Sequence, residues 1–271
     1  MLPASPSEPE TVPLRLPERV TLVNVPIAVT DYEGTLDLID QHIAQRRPGY
    51  VCVANVHTVM AAAEDPQLQS ALAGSVINVP DGMPLVWALN ALGHPLGDRV
   101  YGPELMWRAC ARAATAGTGL YLYGGRDQTA LTQLAENLGR HHPGLQIVGG
   151  FSPPHRPLTD EEREAIVTEI NRAGPDIVWV GIGVPKQEKW MAEMRAFLEA
   201  PVLIGVGAAF DFHAGLVAQA PLRLQRAGLE WAYRLVQEPR RLSRRYLRYN
   251  PRFVAAFAAQ YLRHRRAPAG R

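Results

Sequence analysis

Cysteine is scarce in this chain, with two among 271 residues, which excludes a disulfide scaffold and a cysteine-rich metal site. Cys52 falls in an expected strand and Cys110 in an expected helix, and both suit packing in a reducing compartment. No apolar run reaches the roughly eighteen residues a membrane span needs, so no bilayer-crossing segment is expected. Asp-x-Asp, His-x-x-x-His and paired-cysteine spacings are all missing, which leaves little support for metal chemistry. The Gly-x-Ser-x-Gly elbow of a serine hydrolase is missing too. The opening stretch "MLPASPSEPETVPLRLPERV" lacks the basic-then-apolar order of a secretory signal and is rich in proline and acid. Residues 1–19 are therefore expected to form a disordered leader, and the chain to stay in the cytoplasm.

Lysine is absent from Pro221 onward, and acids there are reduced to Glu230 and Glu238. Against those two acids stand thirteen arginines, a balance of +11. The whole chain sums to only +2, so the remainder carries 15 basic against 24 acidic residues, or −9. A tail so different in charge expects an anionic partner. Leu242, Tyr246 and Tyr249 recur at helical spacing on one face, with Arg241, Arg244, Arg245 and Arg248 as the neighbouring stripe. A solvated face is the plain reading of such a run. Arginine to the exclusion of lysine suits phosphate oxygens and an anionic membrane surface better. Nucleic acid is not expected, since the flanking region is acidic and holds no nucleic-acid module.

What remains is ordinary globular material, 47% hydrophobic and 20% charged. Seven strand-length apolar runs bounded by glycine or proline cover 20–25, 50–56, 75–80, 119–125, 145–150, 176–183 and 202–207. Amphipathic helical stretches over 31–46, 103–116, 127–141, 160–173 and 186–199 separate them, with Asp127 and Thr159 as N-cap candidates. Such alternation predicts an α/β fold, a parallel sheet with helices on both faces and functional residues at the C-terminal strand ends. After Gly215 the strand signal stops, and 221–238, 239–249 and 251–266 read as consecutive helices, with Pro239 and Pro251 as starts.

One edge of that sheet collects the candidates. Asp81 follows the run "SVINVP" directly, either as the N-cap of a helix beginning near Met83 or as an acid that does chemistry. Asn55 ends a second strand and Gly124-Gly125 a third; Gly183, Pro185 and Gln187 follow a fourth, and Gly207, Phe210 and Asp211 a fifth. Glycines there let a backbone approach a phosphate, and the following helix N-terminus offers unpaired N–H groups, as for a nucleoside diphosphate. Gln187 reads equally as a surface residue or as a ligand to a sugar hydroxyl, and Asp211 equally as a core acid or a ligand group.

Taken together, "PDGMPLVW", "DRVYGPELM", "YLYGG", "GIGVPKQEKWM", "GVGAAFDFHAG" and "APLRLQRAGLEWAYRLVQEPRRLSRRYL" resemble the WecG/TagA/CpsF family of bacterial glycosyltransferases (glycosyltransferase family 26) over roughly residues 20 to 250. The resemblance implies a Rossmann-like catalytic domain over 20–220 and a helical appendage over 221–271 that binds membrane and diphosphate. It implies inverting transfer, with no metal and no cofactor, of a hexose or N-acetylhexosamine from a UDP-sugar donor. N-acetylmannosamine, its uronic acid and glucose are the family's possibilities. The implied acceptor is a polyprenyl-diphosphate-linked saccharide (undecaprenyl), and the implied location the anionic inner face of the plasma membrane. Homo-oligomerisation stays open. Among residues, the resemblance implies Asp81 as general base, Asn55 and Gln187 in the pocket, Arg99 as the basic residue ahead of Tyr-Gly, and Arg234, Arg241 and Arg244 on the diphosphate. Val53-Ala54-Asn55 stands where many members have Thr-x-Asn, which removes a hydroxyl contact, and His57 stands where an acid is frequent. Two rival readings have less support. A nicotinamide-dependent oxidoreductase needs a third fingerprint glycine and a strand-end acid about twenty residues on. A non-catalytic nucleotide- or membrane-binding scaffold has no use for Asp81.

Overall fold

The computed structural model describes residues 13–221, 223–224 and 228–266, apart from the Arg241 side chain. Its centre is a six-stranded, wholly parallel sheet: β3 (Gly49–Ala54), β4 (Ile77–Pro80), β5 (Gly119–Gly124), β6 (Gln146–Phe151), β7 (Ile177–Gly181) and β8 (Val202–Gly205), in the order β4-β3-β8-β7-β5-β6. Strands β3 and β5 are buried at every residue, as strands covered on both faces must be. Side chains alternate between two cores. Tyr121, Tyr123, Val178 and Val180 face one core, and Leu120, Leu122, Ile177 and Trp179 the other.

The expected strand over 20–25 is a correction. Val23 adopts φ +60°, and the run folds back through a two-residue turn into an antiparallel hairpin, β1 (Arg19–Leu22) with β2 (Val25–Ala28). Asn78 of the edge strand β4 donates to the Pro26 carbonyl at 2.8 Å, so the hairpin shields an edge left bare in a parallel sheet. Of the expected leader, residues 1–12 lie outside the described residues, while Arg19 already belongs to β1.

Five helices agree with the amphipathic pattern: α1 (Tyr32–Ala44), α5 (Gly102–Ala116), α6 (Gln128–His141), α7 (Asp160–Ala173) and α8 (Lys186–Met194), the last ending five residues before the expected 199. Asp127 and Thr159 cap α6 and α7 through their side chains. Three more, α2 (Val56–Ala62), α3 (Pro66–Ala73) and α4 (Met83–Ala91), span seven to nine residues. At that length a helical period completes about two turns and is hard to tell from an apolar loop. A short α9 (Ala209–His213) follows β8.

In the tail the helix expected over 221–238 is a correction: Gly228, at φ +69°, interrupts it, and among the described residues a helix over Glu230–Gln237 is followed by a terminal helix over Pro239–Arg266. Pro239 starts the terminal helix as expected. Pro251 does not start a third, because the helix runs through it. The carbonyl that Pro251 leaves without a donor belongs to Leu247, which is 77% exposed and open to water. Tyr249, Phe253, Phe257 and Tyr261, four residues apart, pack that helix onto the first core, with Phe253 only 5% exposed. Gln260 bonds the incoming side of the hairpin turn twice, accepting from the Val23 N–H and donating to the Thr21 carbonyl. Arg248 and Arg252 pair with Glu64 beyond α2.

One glycine fixes the geometry of the sheet edge. Gly124 has φ +131°, and a Cβ there would lie 2.6 Å from the Gly181 carbonyl carbon, a backbone atom with nowhere to go. Gly124→Ala is expected to lower unfolding free energy by roughly 3 kcal/mol or more, from strain and overpacking together. Urea unfolding with an unchanged midpoint would refute that reading.

Candidate active site

Asp81 leaves β4 at its C-terminal end, its N–H donating to the Ala54 carbonyl of β3 at 2.8 Å. Its side chain is free of capping duty towards α4, whose N-cap is Gly82, with no side-chain cap bond. It points instead at the start of α5, where Oδ1 accepts from the Gly102 N–H at 2.9 Å. A helix N-terminus favours a carboxylate. Asn55 Nδ2 stands 3.5 Å from Oδ2. Asn55 can present its amide this way because Oδ1 is occupied in capping α2, accepting from His57 N at 3.0 Å and Thr58 N at 3.2 Å. Burial pushes the Asp81 carboxyl above the usual carboxylate range, against the opposing pull of Arg99, the Gly102 amide and Asn55.

Arg99 is itself buried, with Nη1 3.5 Å from the Asp81 carbonyl and its guanidinium 4.3 Å over the Tyr101 ring. Its other arm donates to Glu230 Oε2 at 2.5 Å. Burial alone would lower the Arg99 pKa, but Asp81 and Glu230 hold it above the ordinary value.

These groups open on a cavity of about 240 Å³, walled by α2, α4, the Glu230–Gln237 helix and the terminal helix. Asn55, Asp81, Arg99 and Arg234 all line it. Arg245 lines it as well, whereas Arg244 points outward, exposed. Arg241 sits two residues into the terminal helix, and its side chain lies outside the described residues. The guanidinium carbons of Arg234 and Arg245 sit 5.3 Å over the rings of Phe212 and Tyr246. The Nε of each is buried without a hydrogen-bond partner among the described residues. His57, 5.0 Å from Tyr249 between ring centroids, also has a buried Nδ1 without a partner. Burial, then the charge of Arg245, brings the His57 pKa down to about 4, so its imidazole is neutral at pH 7.

Further along the same edge lies a second, larger cleft of about 710 Å³. The loops after β5 and β7 leave for opposite faces, α6 burying Leu131, Leu134 and Leu138 in one core and α8 burying Met191 and Met194 in the other. This divergence of adjacent parallel strands is where open α/β sheets bind ligands. Gly125, Gly183, Gly207, Phe210 and Asp211 line the cleft, and the Gly125 N–H donates to the Gly181 carbonyl at 3.1 Å. Gly124 lies behind, against Gly181. Asp211 pairs with Arg126 at 2.9 Å, and Trp190 stacks on Tyr123 at 4.0 Å. Pro185 stands at the N-cap of α8 beside Lys186 and makes no side-chain cap, while the Gln187 N–H donates to the Gly183 carbonyl at 2.9 Å.

Gln187 does not line either opening. It is 2% exposed, tucked under Gly205 and Gly207, and donates through Nε2 to Glu188 Oε1 at 2.9 Å. Its Oε1 finds no partner among the described residues. Glu188 is fully buried, and burial pushes its carboxyl up to about 7. The structure thus divides the candidates into an acid-and-arginine cavity and a glycine-lined cleft. Sequence reasoning missed Tyr101, Arg245 and Glu230. Glu230 did carry a signal, as one of two acids in a strongly basic tail.

Among the described residues, no cluster of three or more His, Cys, Asp or Glu side chains could hold a metal ion. No helix among them is long and apolar enough to cross a membrane. A family model described as Glycosyl transferase WecG/TagA/CpsF family matches residues 20–267.

Proposed function

The chain belongs to the WecG/TagA/CpsF glycosyltransferase family, and from that premise we propose that it transfers a hexose or N-acetylhexosamine, with inversion and without a metal, from a UDP-sugar to a polyprenyl-diphosphate-linked saccharide. The family places it in cell-surface polysaccharide synthesis. The observation that carries the finer reading is Asp81, a half-buried carboxylate with a backbone and an amide donor, facing a cavity that Arg234 and Arg245 also line.

In this reading the nucleotide occupies the glycine cleft, where Gly125, Gly183 and Gly207 admit the diphosphate close to the backbone and the start of α8 faces its charge. The sugar then extends towards Asp81. An attacking hydroxyl must lose its proton as it bonds the anomeric carbon, and Asp81 accepts it; a carboxyl whose pKa lies above the usual range is the better base. Charge growing on the leaving diphosphate is met by arginines and backbone N–H groups. Arg234 and Arg245 are the cavity's candidates for that task. Along the tail, Trp231, Val236, Leu247, Val254 and Leu262 stand exposed among arginines, which supports a peripheral seat on an anionic membrane face.

A panel of UDP-sugars, assayed for UDP release with a short-chain polyprenyl-diphosphate acceptor, tests the proposal. One donor is expected to stand out, and its turnover is expected to persist in EDTA. Complete loss in EDTA that Mg²⁺ or Mn²⁺ restores refutes the metal-independent reading. Silence across the whole panel refutes the donor class.

A further inference from the structure

Two neighbouring contacts join the start of the tail to the sheet edge. Gly228, at φ +69°, lies so close to α4 that a Cβ would come 3.0 Å from Trp87 Cη2 and 3.3 Å from Met83 Cβ. Two residues on, Glu230 reaches under the cavity wall and is 6% exposed. Its carboxylate takes one arm of Arg99 at 2.5 Å, while the other arm stands at the Asp81 backbone. Arg99 is therefore shared between the reacting edge and the tail.

We propose that Glu230 is a positioning residue, which docks the arginine-bearing tail onto Arg99 and holds Arg99 beside Asp81, so that the cavity wall and the reacting carboxylate move as one unit. The inference rests on the reading of Asp81 as the base. A buried ion pair of this kind gives uncertain net stability, because desolvation offsets attraction. Its contribution is geometric: with Glu230 in place, the tail arrives with Arg234 and Arg245 on the cavity side. Without it, Arg99 keeps the attraction of Asp81 but has no ion pair within contact distance among the described residues.

Glu230→Gln keeps the shape and removes the charge. Misplacement of reacting groups by about 1 Å costs on the order of 10²-fold, and a turnover loss of that order is expected, with Glu230→Asp recovering part of it. The charged and titratable groups lining the cavity are Asp81, Glu230, Arg99, Arg234, Arg245, His57, Tyr101, Tyr246 and Tyr249. Of these charges, the negative one on Glu230 opposes ionisation of Asp81. Its removal should move the acid limb of the rate profile to lower pH. Trypsin should meanwhile cut the tail arginines of the variant faster than those of the parent. Unchanged turnover overturns the proposal. So does a loss of turnover with an unmoved acid limb or an equally protected tail, since a merely structural acid would do that. A rise in donor affinity at unchanged turnover overturns it too, because Glu230 would then be a competitor of the diphosphate. Asp81→Asn, assayed in parallel, keeps the two readings apart. Full activity there removes the base assignment alone, and Glu230 is then judged on turnover and tail protection.

Discussion

Asp81→Asn should lower turnover by about 10²–10⁴-fold, the usual contribution of a general base, while donor binding stays close to that of the parent. The amide can still accept from the Gly102 N–H, so the start of α5 keeps its partner. The same substitution should not lower the melting temperature at neutral pH. The folded protein holds the Asp81 proton to higher pH than the unfolded chain does. Stability is therefore withdrawn as pH rises through the folded value, and asparagine has no such penalty. Sites tuned for chemistry commonly carry a cost in stability of this sign. In the parent, turnover should fall as pH drops through an apparent value above the ordinary carboxylate range. An Asn variant that is fully active, or that unfolds, removes Asp81 from the mechanism.

Removing the terminal helix, Pro239–Arg266, is the second large effect. It strips Arg245, Tyr246, Tyr249 and Phe253 from the cavity and uncovers α2. Activity should collapse, and the remaining chain should lose stability, because Phe253 is core and truncating a buried phenylalanine alone costs about 3–5 kcal/mol. Two single substitutions divide the causes. Phe253→Ala should lower the melting temperature markedly and activity with it. Arg245→Lys keeps the charge but loses the planar guanidinium and its Nε donor. It should lower turnover at unchanged melting temperature, with donor affinity changed little, because the charge that Arg245 meets grows only as the diphosphate leaves. Retention of full activity after the helix is removed would show that the tail only anchors.

How much of this was legible beforehand differs from element to element. The parallel sheet was readable because glycine- and proline-bounded apolar runs alternate with helical patterns. The first run misled, since a strand and a hairpin arm share the same period of two and differ only in the turn at Val23, where a β-branched residue takes φ +60°. Pro251 misled for a related reason. A proline removes one hydrogen bond, and four aromatic residues packed along one face outweigh it. At the site, the place of Asp81 followed from its position after a strand, but its release from capping did not, because Gly82 takes the N-cap.

The arginines show where the division falls. Arg244 and Arg245 are adjacent, and composition assigns them alike. Arg245 is three residues after Leu242 and four before Tyr249, on the buried side of the helix, whereas Arg244 is rotated outward. That much was latent in the periodicity. The pairing of Arg99 with Glu230, 131 positions apart, was not. Local sequence determined the strands, most helix starts, the glycine loops and the basic tail, because each depends on neighbours within a few residues. Tertiary structure alone decided which helix start the Asp81 carboxylate faces and which residue joins tail to sheet. Those outcomes depend on packing between distant segments, whose relative placement no local pattern encodes.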